Sequence, residues 1–241
     1  MYITNSRIKK QLSAWLFIMF IIISIMIIVG GLTRLTDSGL SITKWELFKG
    51  LLPPLSHETW LFYFSEYKNI PEFKIQNYSM TLDEFKIIFW WEWAHRQIGR
   101  FIGMSFIIPL IYFSFKIHIK KLLNLYLIFF LICLQGFIGW YMVSSGLVDR
   151  VDVSHFRLSI HLTMAFIILS LILWNFLNLQ FQILQKNKLN LFFPITFLII
   201  IYSQIIIGAF VSGMDAGKLY NSWPLMGQTY FPDDNNLKTF F

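Results

Sequence analysis

A chain of 241 residues that is 56% hydrophobic, 19% aromatic and only 14% charged, with a mean hydropathy of +0.59, is too apolar for a water-soluble domain. Its net charge of +7 does not imply a nucleic-acid partner, because Lys and Arg collect on the cytoplasmic side of membrane proteins. The single cysteine, Cys133, excludes an intrachain disulfide and a cysteine-based metal site, and its apolar surroundings predict an inert core residue.

Five apolar stretches approach the roughly 20 residues needed to cross a bilayer. They lie near 12–33, 88–115, 122–143, 157–180 and 191–211. The basic start (Arg7, Lys9, Lys10) precedes an apolar run too long for a signal core, and no small-residue cleavage site follows it, so the first span is uncleaved. Basic, acid-free segments (the N-terminus, 116–121 and 182–190) alternate with mixed-charge segments (34–87, 144–156 and 212–241). The positive-inside rule then gives a cytoplasmic N-terminus and an external C-terminus. The expected fold is an all-α polytopic membrane protein, a four-helix transmembrane bundle plus one extra helix. The segment 34–87 is too long for a simple connector, and its aromatics (Trp45, Phe48, Trp60, Phe62, Tyr63, Phe64, Tyr67) suit short elements at the membrane surface, either a lid or an interfacial anchor.

The first span ends in "GGLTRLTDSGLSITKW" and the fifth in "GAFVSGMDAGKLYNSW". Aligned without gaps they match at Gly30/Gly208, Asp37/Asp215, Gly39/Gly217 and Trp45/Trp223, and both run on to a Gly (Gly50, Gly227) and a Pro (Pro53, Pro232). A chance match between two glycine-rich helix exits is the alternative to duplication. A duplication would be parallel, with four spans per unit: a first unit over 1–190 and the opening helix and loop of a second over 191–241.

Ionisable groups stand out in this background because each costs roughly 2.5–3.5 kcal/mol in hydrocarbon. The second span carries Glu92, His95, Arg96 and Arg100 within "FWWEWAHRQIGRFIG", and the fourth opens with "SHFRLSIHL", containing Arg157 and His161. Two imidazoles at similar depth on different helices can take one iron from opposite sides, as bis-His heme ligation requires. Zinc needs a third or fourth ligand, and only Glu92 is near. Arg96, Arg100 and Arg157 suit the anionic edge of a porphyrin, although arginines at helix ends also snorkel. Glu92, one turn from His95, is placed to relay protons or stabilise a cation. His57, His118 and His155 read as solvated. "GRFIG" and "QGFIG" supply small residues for close helix approach.

Together "GGLTRLTDSGLSITKW", "GLLPPL", "FKIIFWWEWAHRQIGRFIG", "LQGFIGWYMVSSGL", "VSHFRLSIHL" and "GMDAGKLYNSWPLMG" resemble the heme A synthase family, over Gly30 to Met226. The lack of a cysteine pair in the first external segment is similar to its proteobacterial and mitochondrial form. The resemblance implies an oxidoreductase of cytochrome oxidase assembly, built as two four-helix halves, each with a His pair for a heme. It implies conversion of heme O to heme A, the C8 methyl becoming a formyl group through two hydroxylations and loss of water. Carried over, Glu92 is catalytic and His95 and His161 hold the substrate's iron, with Arg96, Arg100 and Arg157 as further heme-binding residues. The second half's heme b site falls on helices this sequence does not include, so the chain resembles a truncated member. The implied partners are heme O, membrane lipid, heme O synthase, an electron donor, cytochrome oxidase assembly factors and a second copy, with no nucleic acid. The implied location is the bacterial inner membrane, ahead of the mitochondrial one. A non-catalytic b-type heme carrier or electron-transfer subunit, or an inactive fragment, remains the alternative.

Overall fold

The computed structural model describes residues 5–46, 49–181, 191–219 and 224–231. The domain boundary expected at 190, and Trp223 and Pro232 of the repeat, lie outside them. All the regular elements are helical: α1 (Ser6–Leu35), α2 (His57–Tyr67), α3 (Pro71–Ile75), α4 (Leu82–Ser114), α5 (Leu123–Asp149), α6 (His155–Phe181), α7 (Phe192–Gly213) and α8 (Ala216–Leu219), with 3₁₀ turns at Lys49–Leu51 and Ile119–Lys121. Five of them, α1 and α4 to α7, are long and apolar enough to cross a membrane.

Local chemistry sets where these helices begin. Asn5 caps α1 by accepting from the amides of Arg7 (3.0 Å) and Ile8 (3.2 Å). Ser56 with Thr59, and Thr81 with Glu84, form reciprocal caps on α2 and α4, and Pro71 opens α3 where a missing N–H costs nothing. The Thr81 cap starts α4 six residues before the expected 88. Those extra residues include Phe85, which with Ile88 packs against the connector.

Four helices form a bundle in which α1 packs on both α4 and α6, and α5 completes the ring by packing on the same two. No comparable α4–α6 interface exists among the described residues, so these two stand on opposite corners. Helix α7 lies against the outside of α6 and is exposed along most of its length. Two apolar cores result. One joins Leu12, Leu16, Met19 and Ile23 of α1 to Phe106 and Leu110 of α4, Leu125 and Ile128 of α5, and Ile172 of α6. The other joins Leu40, Ile42, Phe64, Tyr67 and Ile70 to Phe85 and Phe89 of α4 and Val153, so the connector folds as a cap on the end of the bundle.

Inside the bundle, several polar groups are satisfied locally, since an unpaired one in hydrocarbon is costly. Ser24, Thr33, Ser114 and Asn175 each donate to the carbonyl four residues earlier. Pro109 within α4 has no N–H to offer Ser105, four residues back. The Trp15 indole of α1 donates to that carbonyl instead, at 3.0 Å. Cys133, expected in the core, is exposed on α5.

Candidate functional site

Between the two cores lies a band with little large apolar filling. On α4 the buried apolar residues stop at Phe89 and resume at Ile102. On α6 they begin only at Ile168. His95 and His161 fall in this band, each half-buried, and they come from the two opposite corners of the bundle. The imidazoles lie within electrostatic reach of one another.

Glycines on the other two corners make room for the rings. A Cβ built on Gly30 of α1 would sit 3.4 Å from His95 Nε2, and one on Gly139 of α5 only 2.9 Å from His161 Cε1. Gly139, expected first to let helices approach closely, here admits the His161 ring, and Gly30, singled out only in the repeat, borders His95. Gly99 does serve the expected packing role, 3.5 Å from Met26 by the same measure, while Gly103 and Gly136 have nothing within 4 Å. His161 is further held by Gln135 of α5, whose amide Nε2 donates to its backbone carbonyl at 3.0 Å. Gln135 went unnoticed as a positioning residue because its partner is 26 residues away. The Nδ1 of His161 is buried and has no hydrogen-bond partner among the described residues.

Glu92, buried at 3% exposure, is fully engaged. Its Oε2 accepts from Ser41 Oγ (2.7 Å) and the Ile42 amide (2.8 Å), and its Oε1 from Arg96 Nε (3.0 Å) and Nη2 (2.5 Å). Arg96 also donates to the Ile42 carbonyl (3.1 Å) and stacks over Trp45, 5.5 Å from the ring centroid. One turn on, Gln97 and Arg100 both donate to the Gly50 carbonyl, at 2.7 and 3.1 Å, and Arg100 also to that of Glu46, at 3.2 Å. These α4 side chains therefore bind Ser41, Ile42, Glu46 and Gly50 of the connector as a roof beside His95. Arg157 turns to α5, where it contacts Ser145 and lies 4.5 Å from the Tyr141 ring centroid. All three arginines expected at a porphyrin's anionic edge are thus bonded within the protein.

His57 and His118 are exposed, as expected. His155 is not simply solvated. It packs on Phe156 and Phe210, with ring centroids 4.4 and 5.9 Å away, and abuts Gly213 of α7.

Two groups escaped sequence reasoning. Arg34 at the end of α1 reaches Asp37 (2.8 Å), Asp152 (3.4 Å), Asp215 (3.0 Å) and the Ser212 carbonyl (2.9 Å), tying three chain segments together. Glu72 of α3 is 2% exposed, and its Oε2 has no partner. Burial pushes its carboxyl up to about 8, with a contrary pull from Tyr67 and further repulsion from Glu92, Asp152 and Asp37.

The donor set suits a porphyrin iron better than a bare metal ion. Among the described residues no group of three His, Cys, Asp or Glu side chains converges to hold an ion. Imidazoles on helices at opposite corners of the bundle, each backed by a glycine, fit a flat ring with two axial ligands.

The chain is 53% identical to a heme A synthase of Pelagibacter ubique over 238 residues, covering 97% of this chain and 70% of that one. It is 46% identical to a heme A synthase of Maricaulis maris (95% and 68% covered) and 49% identical to one of Rickettsia bellii (93% and 69%). No solved structure matches it. The family model described as COX15-CtaA, cytochrome oxidase assembly protein, matches residues 13–241, and the chain belongs to this family.

Proposed function

We propose that this chain binds heme O between α4 and α6 and takes part in oxidising its C8 methyl group to the formyl group of heme A. The observation that carries the reading is the His95–His161 pair, presented from opposite corners of the bundle into a glycine-backed band. In this reading the two imidazoles hold the substrate's iron and Gln135 fixes the α6 backbone at His161. The connector roof limits water access from that end. The substrate's own iron supplies the redox chemistry. Glu92 and Arg96 act from the edge of the pocket, and Arg100 and Arg157 line its rim. Taking a methyl to a formyl removes four electrons and adds one oxygen; with O2 as oxidant and oxygen source, each of the two hydroxylations also takes two electrons and two protons, so an electron donor is a proposed partner. Heme O synthase and cytochrome oxidase assembly factors are the other partners proposed, and a second copy is a further one.

The basic, acid-free segments support an inner-membrane protein with a cytoplasmic N-terminus. The duplication, with units at 1–190 and 191–241, gains support from Asp37 and Asp215. These aligned residues are the only non-glycine positions with positive φ among the described residues, at 48° and 51°.

A second reading is favoured by one observation. Because both Glu92 oxygens are already bonded, a non-catalytic b-type heme carrier would need nothing more from this residue. Expression in a host that makes heme O but no heme A, followed by pigment extraction, separates the two. Heme A from the parent chain, lost in His95→Ala and in His161→Ala, supports the synthase reading. Heme A undiminished in either variant overturns it. Bound heme with no heme A from the parent chain favours the carrier.

A further inference from the structure

A cavity of about 480 Å³ opens between the first turns of α1 and the last turns of α6. It lies some twenty residues along α1 from Gly30, roughly 30 Å at about 1.5 Å per residue, and so is separate from the histidine band. Its rim is Ser6, Lys9 and Lys10, its floor the Ser13–Gln180 hydrogen bond of 2.8 Å, and its wall the Phe17 and Phe176 rings, 5.5 Å apart.

The chemistry is graded in depth. Lys9 is half-buried and Lys10 exposed, and among the described residues neither faces a carboxylate. The α1 amides of Arg7 and Ile8 are already taken by Asn5, so the ammonium groups rather than the helix start carry anion recognition. Below them Phe17, 48% exposed, continues the apolar surface toward the middle of the bundle. A free phosphate would use only the rim. A ligand with an anionic head and hydrocarbon tails uses both zones, and basic pockets between membrane helices take such headgroups.

We propose that this cavity binds an anionic phospholipid, its phosphate between Lys9 and Lys10 and an acyl chain along Phe17 and Phe176. The bound lipid would brace α1 against α6 at the end of the bundle remote from the histidines.

The test uses the full chain, reconstituted with phosphatidylglycerol or phosphatidylcholine and followed by lipid retention in native mass spectrometry and by thermal unfolding. Phosphatidylglycerol should be retained and raise the unfolding temperature, and phosphatidylcholine should not. Retention should weaken roughly fivefold for each lysine lost in Lys10→Gln and in the Lys9→Gln, Lys10→Gln double variant. Arg7→Gln, outside the cavity, is the control for diffuse charge and should change retention far less. Equal retention of the two lipids, an Arg7→Gln loss as large as the double variant's, or full stabilisation by inorganic phosphate alone would each overturn the site.

Discussion

Arg34 Nη2 lies 3.0 Å from Asp215 Oδ2, a contact that closes 181 residues of chain. The same guanidinium holds Asp37 and Asp152, so one cation joins the exits of α1 and α7 and the α5–α6 turn. Arg34→Ala leaves three partly exposed carboxylates without their shared partner and should cost on the order of 1 kcal/mol. Arg34→Lys should recover only part of this, since an ammonium cannot reproduce the fork that reaches several acceptors. Thermal unfolding in detergent checks both. A stability unchanged in Arg34→Ala would show the cluster to be incidental.

Glu92 fixes the roof as well as neighbouring the histidines. Glu92→Gln keeps the shape and one acceptor but gives up the charge that faces Arg96. The Ile42 amide, bonded to this carboxylate at 2.8 Å, should then exchange hydrogen faster, roughly tenfold or more for a bond worth about 1.4 kcal/mol. Segment 41–50 should also become more open to protease. Unaltered exchange at Ile42 would count against the clamp.

Neighbouring glycines on α1 offer an internal comparison. A methyl group at Gly30 meets His95 Nε2 at 3.4 Å, whereas one at Gly31 meets nothing within 4 Å. Gly30→Ala should disturb the axial-ligand spectrum of heme-loaded protein, and Gly31→Ala should leave it intact. Equal spectra would mean that His95 is not held where the bound ring needs it.

Glu72 sets a pH dependence in the connector. Its carboxyl rises from an ordinary 4.5 to about 8 on folding, so the folded chain binds the proton more tightly. Stability is therefore greatest below the unfolded value and is lost as pH climbs from about 4.5 to about 8, by at most about 1.4 kcal/mol per pH unit. Glu72→Gln, neutral at every pH, should flatten this slope. Unfolding temperatures measured from pH 5 to 9 decide the matter, and identical slopes would remove Glu72 from the account.

The membrane helices and the two histidines were legible because each is an outlier, an apolar run in one case and a polar group inside it in the other. What the sequence hid follows from two physical facts. In a bilayer the lipid face and the core face of a helix are equally apolar, so Cys133 carried no sign of which way it pointed. Arginine type identifies a donor without its acceptor. Arg100, and Arg96 beyond its bonds to Glu92, reach carbonyls 50 to 54 residues back in the chain, a pairing no local pattern announces. The early start of α4 was masked by Asp83, Glu84 and Lys86, whose charges suit the external segment but which sit in the first two turns behind the Thr81 cap.

The carbonyl of Ser105 makes Trp15 and Pro109 thermodynamic partners although neither side chain bonds the other. Trp15→Phe alone strands an acceptor in the apolar interior, at about 1–3 kcal/mol. In a Pro109→Ala background the helix regains its own donor, and the same replacement should cost distinctly less. A double-mutant cycle that came out additive would dissolve the pairing. Otherwise the order of substitution matters: the proline can be replaced first and the indole discarded afterwards, but not the reverse.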